Sequence, residues 1–307
     1  MKQTIIIPPK LTKGNTIGLI CPGGYMPLEK TLACTRTLEK WGYKVRIGAT
    51  VGKQHHYFAG TDAERLHDFQ QMIDDPTVHA VLCCRGGYGT SRWIDAVNWK
   101  RFKKNPKWII GYSDVTVLHC HLLRQLKIAS LHAPMAGAFA EAEAGDWYIK
   151  SLQRALTGKP ANYSYTTRQA GRTGTAEGLL VGGNLSLLAH LTGTASQPYY
   201  RGSLLFIEDV GEYLYNIDRM LLQLARAGVF GQINGLIVGG FTELKDTTIP
   251  MGETIPEIVE RYTAPYNYPV VFDFPVSHTA KNVALTVGAM HQLKAGPQKV
   301  TLKQLTT

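Results

Sequence analysis

Through the first 120 residues one pattern recurs: a short apolar run that stops on glycine, then a stretch of helical periodicity. Thr16-Ile-Gly-Leu-Ile20 runs into Cys21-Pro-Gly-Gly24, Val78-His-Ala-Val-Leu-Cys-Cys84 into Arg85-Gly-Gly-Tyr-Gly89, and Lys107-Trp-Ile-Ile-Gly111 into Tyr112-Ser-Asp114. Runs this short and this continuously apolar are expected of strands buried on both faces. Residues 27–41 carry helical spacing, and Tyr43–Ile47 reads as extended. Residues 63–73 are again helical, with Ala63, Leu66, Phe69, Met72 and Ile73 on one apolar face and Asp62 near the N-cap. Strands alternating with helices predict a parallel sheet with right-handed crossovers, whose ligands lie beyond the carboxyl ends of the strands. The turns at 85–89 and 111–113 belong to that edge.

A helical stretch from about Glu141 to Leu156 is followed by Thr157-Gly-Lys-Pro160 and a polar segment reaching Thr175. This predicts an N-terminal domain over 1–160, a linker over 161–175 and a C-terminal domain over 176–307. The last contains Ala176–Leu188, strands at Ser203–Ile207, Gly235–Val238 and Pro269–Phe274, and helices near Ile217–Ala227 and Ile255–Tyr262. Short strand-like pieces complete a smaller α/β domain with its own sheet.

The formal charge is +10, from 33 Lys and Arg against 23 Asp and Glu, but the basic residues are dispersed and no basic-aromatic repeat tracks a phosphate backbone. A nucleic-acid partner is therefore not expected, whereas a carboxylate-rich small substrate suits the charge. The N-terminus has only Ile5-Ile-Ile7 as an apolar run, which predicts neither leader nor membrane span and a cytoplasmic setting. The five cysteines lie at 21, 34, 83, 84 and 120 with no Cys-x-x-Cys spacing, as buried free thiols would. His55-His56 and His119-Cys-His121 sit too close in sequence to share a helix face, so no metal site is expected. The 85–89 turn lacks the Lys-Ser/Thr of a phosphate-binding loop and a full Gly-x-Gly-x-x-Gly, so no nucleotide cofactor is expected either.

A serine hydroxyl becomes a nucleophile when it is presented on a rigid turn beside a base. Gly111-Tyr-Ser113-Asp-Val115 supplies such a turn, and the amide of Asp114, at the start of a helix, is a candidate oxyanion donor. Val115 departs from the Gly-x-Ser-x-Gly elbow, and Ser followed by Asp equally describes a helix cap. The glycines after Arg85 let main-chain N–H groups face an anion, making Gly86 or Gly87 a second donor, with a plain tight turn as the alternative. Leu204-Leu-Phe-Ile-Glu208-Asp-Val-Gly-Glu212 sets carboxylates after an apolar run, either to orient a histidine or simply solvated. Val271-Phe-Asp-Phe-Pro-Val-Ser-His278 ends another run on histidine, the usual general base near neutral pH.

Together with Gly182-Gly-Asn-Leu185 and Tyr215-Asn-Ile-Asp-Arg219, these motifs resemble the LD-carboxypeptidase family of serine peptidases over nearly the whole chain. The resemblance implies Ser113 as nucleophile, His278 as general base and acid, and Glu208 as the carboxylate that orients it, with Glu212 the runner-up. It implies a flavodoxin-like N-terminal domain, a smaller C-terminal domain, an active site in the cleft between them, a homodimer and no cofactor. Ser277 stands where the family often has glycine, a change expected to tighten the loop. The implied reaction is the cytoplasmic trimming of peptidoglycan tetrapeptides, by cleavage between a diamino acid and terminal D-alanine. A related branch cleaves microcin-C-type acyl-sulfamoyl-nucleotide antibiotics and carries an aromatic loop; the short Thr192–Tyr200 segment favours the carboxypeptidase. A two-lobed small-molecule binding protein is the non-enzymatic alternative, and an amidotransferase-like hydrolase would need Cys in place of Ser113.

Overall fold

The computed structural model describes residues 4–141, 146–169 and 171–305. The glycine-terminated runs form β1 (Thr16–Ile20), β3 (Val78–Cys83) and β4 (Trp108–Gly111), joined by β2 (Lys44–Ile47) and β5 (Ser130–His132). They pair in parallel in the order β2-β1-β3-β4-β5. This is the flavodoxin-like winding, and it reverses direction between β1 and β3. Alternate residues Ile17, Leu19, Ala80, Leu82, Ile110 and Leu131 pack one face of the sheet into a core.

The expected helix at 27–41 is a 3₁₀ turn, Leu28–Thr31, leading into α1 (Leu32–Lys40). In α2 (Asp62–Asp74) the cap is Thr61, directly before Asp62: the Thr61 hydroxyl accepts from Glu64 N while the Glu64 carboxylate accepts from Thr61 N. The buried face of α2 also differs from the apolar pattern. Ala63 is exposed, whereas Arg65 and Asp68 are buried beside Phe69, Met72 and Ile73. These charged groups act as clips. Asp68 accepts from Ala49 N, Thr50 N and the Thr50 hydroxyl, and Arg65 Nη1 donates to Pro22 O at 2.9 Å. Next come α3 (Lys100–Lys104), α4 (Thr116–His121), α5 (Ala138–Glu141) and α6 (Trp147–Leu156). The helix expected from 141 begins instead at α6, capped by Asp146, and 142–145 lie outside the described residues.

The chain forms two compact units that divide between Lys159 and Pro160, with Val283–Thr286 returning to the first. The segment 161–175 is not a linker. Asn162–Thr166 forms β6, which leads into β7 (Gly174–Asn184), α7 (Leu185–His190), β8 (Leu204–Val210) and α8 (Leu214–Arg226). The chain continues through β9 (Gly235–Thr242), α9 (Ile255–Thr263), β10 (Val270–Val271), β11 (Leu285–Val287), β12 (Met290–Ala295) and β13 (Lys299–Gln304). β11 lies beside β5 in the first sheet, and the second sheet runs β10-β9-β8-β7-β12-β13-β6. Pairing is parallel from β7 to β10 and antiparallel among β7, β12, β13 and β6. The expected strand at Pro269–Phe274 shrinks to β10, because the backbone turns at Asp273, where φ is +61°. Among the described residues no helix is long and apolar enough to cross a membrane, and all five cysteines are buried free thiols.

Gly182, near the end of β7, lies against its parallel partner: a Cβ there would sit 2.0 Å from Phe206 O, with φ at +143°. Backbone cannot yield to that contact. Gly182→Ala is expected to destabilise the protein by roughly 3 kcal/mol in chemical denaturation. Gly231→Ala, whose new methyl would meet Tyr266 at an ordinary 3.4 Å, is expected to cost less than about 1 kcal/mol.

Candidate active site

Ser113 follows β4 directly and has φ at +63°, a left-handed conformation rare for a side chain with a Cβ. It opens a 3₁₀ turn, Ser113–Val115, that leads into α4. The cap position belongs to Tyr112, so the helix-cap role is not the one Ser113 plays. The glycine turn after β3 packs onto it. A Cβ on Gly86 would lie 3.2 Å from Ser113 Oγ and 3.1 Å from Asp114 N, so a side chain there would crowd the serine. Gly87 lies elsewhere, with a Cβ position 2.6 Å from the Tyr57 hydroxyl.

The Asp114 side chain is fully buried and accepts from Thr90 N at 2.9 Å and from the Thr90 hydroxyl at 2.6 Å. Burial pushes its carboxyl above the usual range, opposed by these bonds and by the Arg65 charge. From the other side, His119 on α4 braces the same turn. Its Nε2 lies 2.9 Å from Gly111 O and its Nδ1 2.8 Å from Ser130 Oγ. A carbonyl only accepts, so Nε2 carries the proton and Nδ1 accepts from the serine hydroxyl. Burial holds this ring neutral, pulling its pKa down to about 4.

In the second unit, β8 carries Glu208 two residues before its end, and the loop after β10 carries His278. His278 Nδ1 lies 2.6 Å from Glu208 Oε2, and the carboxylate is completely buried. Burial works against the charged imidazole, but Glu208, with Asp209 and Glu243 beyond it, outweighs burial and raises the His278 pKa above its usual value of 6.5. Glu212 instead accepts from Asn216 Nδ2 at 3.0 Å. Ser277 bonds across its own loop: its Oγ bonds Thr279 Oγ1 at 2.7 Å and donates to Lys281 O at 3.1 Å. A cavity of about 570 Å³ opens on this unit, with Ser277, Thr279 and Lys281 on its wall. Thus Ser113, Gly86 and Asp114 N come together in the first unit, and Glu208 and His278 in the second.

Residues 17–133 match the LD-carboxypeptidase N-terminal domain, and residues 177–293 match the LD-carboxypeptidase C-terminal domain. The chain belongs to the LD-carboxypeptidase family. A probable murein peptide carboxypeptidase of Bacillus subtilis is 34% identical over 92% of this chain and 89% of its own length. The murein tetrapeptide carboxypeptidase of Pseudomonas aeruginosa is 30% identical over 89% of this chain and 91% of its own. The crystal structure of muramoyltetrapeptide carboxypeptidase from Oxalobacter formigenes superposes with a TM-score of 0.87 at 30% identity, covering 95% of this chain and 99% of that one. Family membership makes this protein a carboxypeptidase.

Further residues position this LD-carboxypeptidase's polar groups, and of these only Asn184 lies in a motif that the sequence singled out. Asn184 caps α7 and donates to Asp209 at 2.7 Å, which fixes the end of β8 beside Glu208. Gly239 gives the His278 loop room, since a Cβ there would lie 2.4 Å from Val276 O and 3.3 Å from Glu208 Cβ. A Gly-Gly pair at the end of an apolar run was the available signal. Thr90 and His119 gave none, because nothing local marks a threonine or histidine as a brace.

The brace has a pH signature. His119 binds a proton near pH 6.5 when unfolded but only near 4 when folded, so its contribution is complete above pH 6.5 and lost as pH falls toward 4. The loss is on the order of 3 kcal/mol. Denaturation midpoints measured from pH 7.5 to 4 are expected to fall less steeply in His119→Gln than in the unaltered protein.

Proposed function

We propose that this LD-carboxypeptidase releases terminal D-alanine from peptidoglycan tetrapeptides through a Ser113–His278–Glu208 triad. The observation that carries the triad is the 2.6 Å bond from His278 Nδ1 to buried Glu208. It fixes the proton on Nδ1 and makes Nε2 the basic nitrogen, the tautomer a general base needs. In this reading Nε2 takes the Ser113 proton, the oxygen attacks the scissile carbonyl, and main-chain N–H groups stabilise the oxyanion. The contact of Gly86 with Ser113 supports Gly86 over Gly87 as donor, beside Asp114 N. D-Alanine leaves with the proton from His278, and water then repeats the sequence on the acyl-enzyme. The names of the Bacillus, Pseudomonas and Oxalobacter proteins support the murein substrate. The net charge of +10 suits a peptide with several carboxylates. A cytoplasmic setting and a homodimer complete the reading, both drawn from the family resemblance.

The test offers matched tetrapeptides ending in D-alanine and in L-alanine. Release from the D-ended peptide alone is expected, and Ser113→Ala is expected to lower kcat/KM by about 10⁴-fold or more. Undiminished turnover in that variant would discard Ser113 as nucleophile.

The His278 ring must be neutral to accept a proton, so kcat/KM is expected to rise with pH through a value above 6.5. Glu208→Gln removes the group that raises it. That variant is expected to lose about 10³- to 10⁴-fold in kcat and to show its acid limb at lower pH. An unmoved limb would assign the orienting role elsewhere.

A further inference from the structure

We propose that Arg85 binds the free carboxylate of the departing residue and thereby restricts the enzyme to chain ends. The inference rests on Ser113 being the nucleophile. In a peptide whose last residue is the leaving group, only three bonds separate the scissile carbonyl carbon from the terminal carboxylate carbon, a span of about 4 Å at most. The group that recognises this carboxylate must therefore stand beside the nucleophile. Gly86 already touches Ser113, and Arg85 is the residue before it.

Arg85 is exposed, and its side chain lies across the turn after β1. A Cβ on Gly24 would sit 3.5 Å from Arg85 Nε and 3.7 Å from its Cδ. Arg85 Nη1 donates to Tyr25 O at 3.0 Å, and Gly24 N donates to Gly86 O at 2.8 Å, so guanidinium and glycine turn are held by one short stretch of chain. The neighbouring arginines are spoken for: Arg65 and Arg92 both pair with Asp62. Among the described residues Arg85 has no such carboxylate partner. A carbonyl takes one of its five N–H donors and leaves the charge uncompensated. A planar fork held at one edge is suited to a bidentate grip on a carboxylate.

The experiment compares kcat/KM for one tetrapeptide ending in D-alanine and the same peptide ending in D-alanine amide. The unaltered enzyme is expected to favour the acid by about 100-fold. In Arg85→Ala that ratio is expected to collapse toward one, and in Arg85→Lys to recover in part. Labelling of Ser113 by a fluorophosphonate reports whether fold and nucleophile persist in the variants. A ratio that stays near 100 in Arg85→Ala, whether or not both rates fall together, overturns the proposal and leaves Arg85 a support for Tyr25. Failure of the underlying reading shows separately, as an unaltered enzyme that neither releases D-alanine nor labels at Ser113.

Discussion

The first unit is organised around one buried carboxylate. A charge taken out of water is costly unless hydrogen bonds replace its hydration, and Asp114 finds them in the amide and hydroxyl of Thr90. Those bonds join the turn after β4 to the turn after β3. Arg65 adds favourable charge and is itself bonded to Pro22 O, in the turn after β1. Three loops that are distant in sequence are locked at the edge where a doubly wound sheet places its ligands. The lock matters because Ser113 sits at φ +63°. A conformation of that kind costs on the order of 1–3 kcal/mol and persists only where its surroundings over-determine it.

The second unit solves a related problem with consecutive carboxylates. Glu208 and Asp209 are neighbours on β8, where the pairing with β9 shifts register. Glu208 meets the imidazole of His278. Asp209 accepts from Asn184 Nδ2, from Ser186 N at 2.9 Å and from its own following amide, Val210 N, also at 2.9 Å. Both are buried, but Asp209 is held by fixed main-chain and side-chain donors, whereas Glu208 also bonds a titrating ring. Glu208 therefore acts on the His278 proton through a direct bond, and Asp209 only through its charge.

Much of this was legible in the residues. The apolar runs marked the strands, their glycines marked the turns around Ser113, and the order of Ser113, Glu208 and His278 carried the resemblance. The failures share a cause, namely that hydrophobic periodicity counts only apolar residues. It assigned Ala63 to the buried face of α2 and passed over Arg65 and Asp68, which are buried because their charges are satisfied. It read 161–175 as a linker because β6 is an edge strand: Asn162, Ser164 and Thr166 face outward while Tyr163 and Tyr165 turn inward. The two tyrosines at alternate positions were the signal. At Pro269–Phe274 it continued a strand that Asp273 ends, where Tyr165 and Thr167 hold the diverging chain through Phe272 O and the Asp273 carboxylate.

The same reasoning accounts for the missing glycine at 115. An elbow places a sharp turn between strand and helix, and somewhere within it two parts of the chain must approach more closely than a pair of side chains permits. One glycine suffices if the partner fills the space it leaves. Gly111, at φ +156°, is that glycine, and a Cβ there would meet Val115 Cγ2 at 2.8 Å. Val115 therefore packs into the gap that Gly111 opens, and it is wholly buried. His119, one helical turn further on, bonds the Gly111 carbonyl and secures the other side of the bend. A motif that demands glycine at both positions misses this turn, although the constraint that produces the motif is satisfied here by glycine, valine and histidine acting on the same peptide unit.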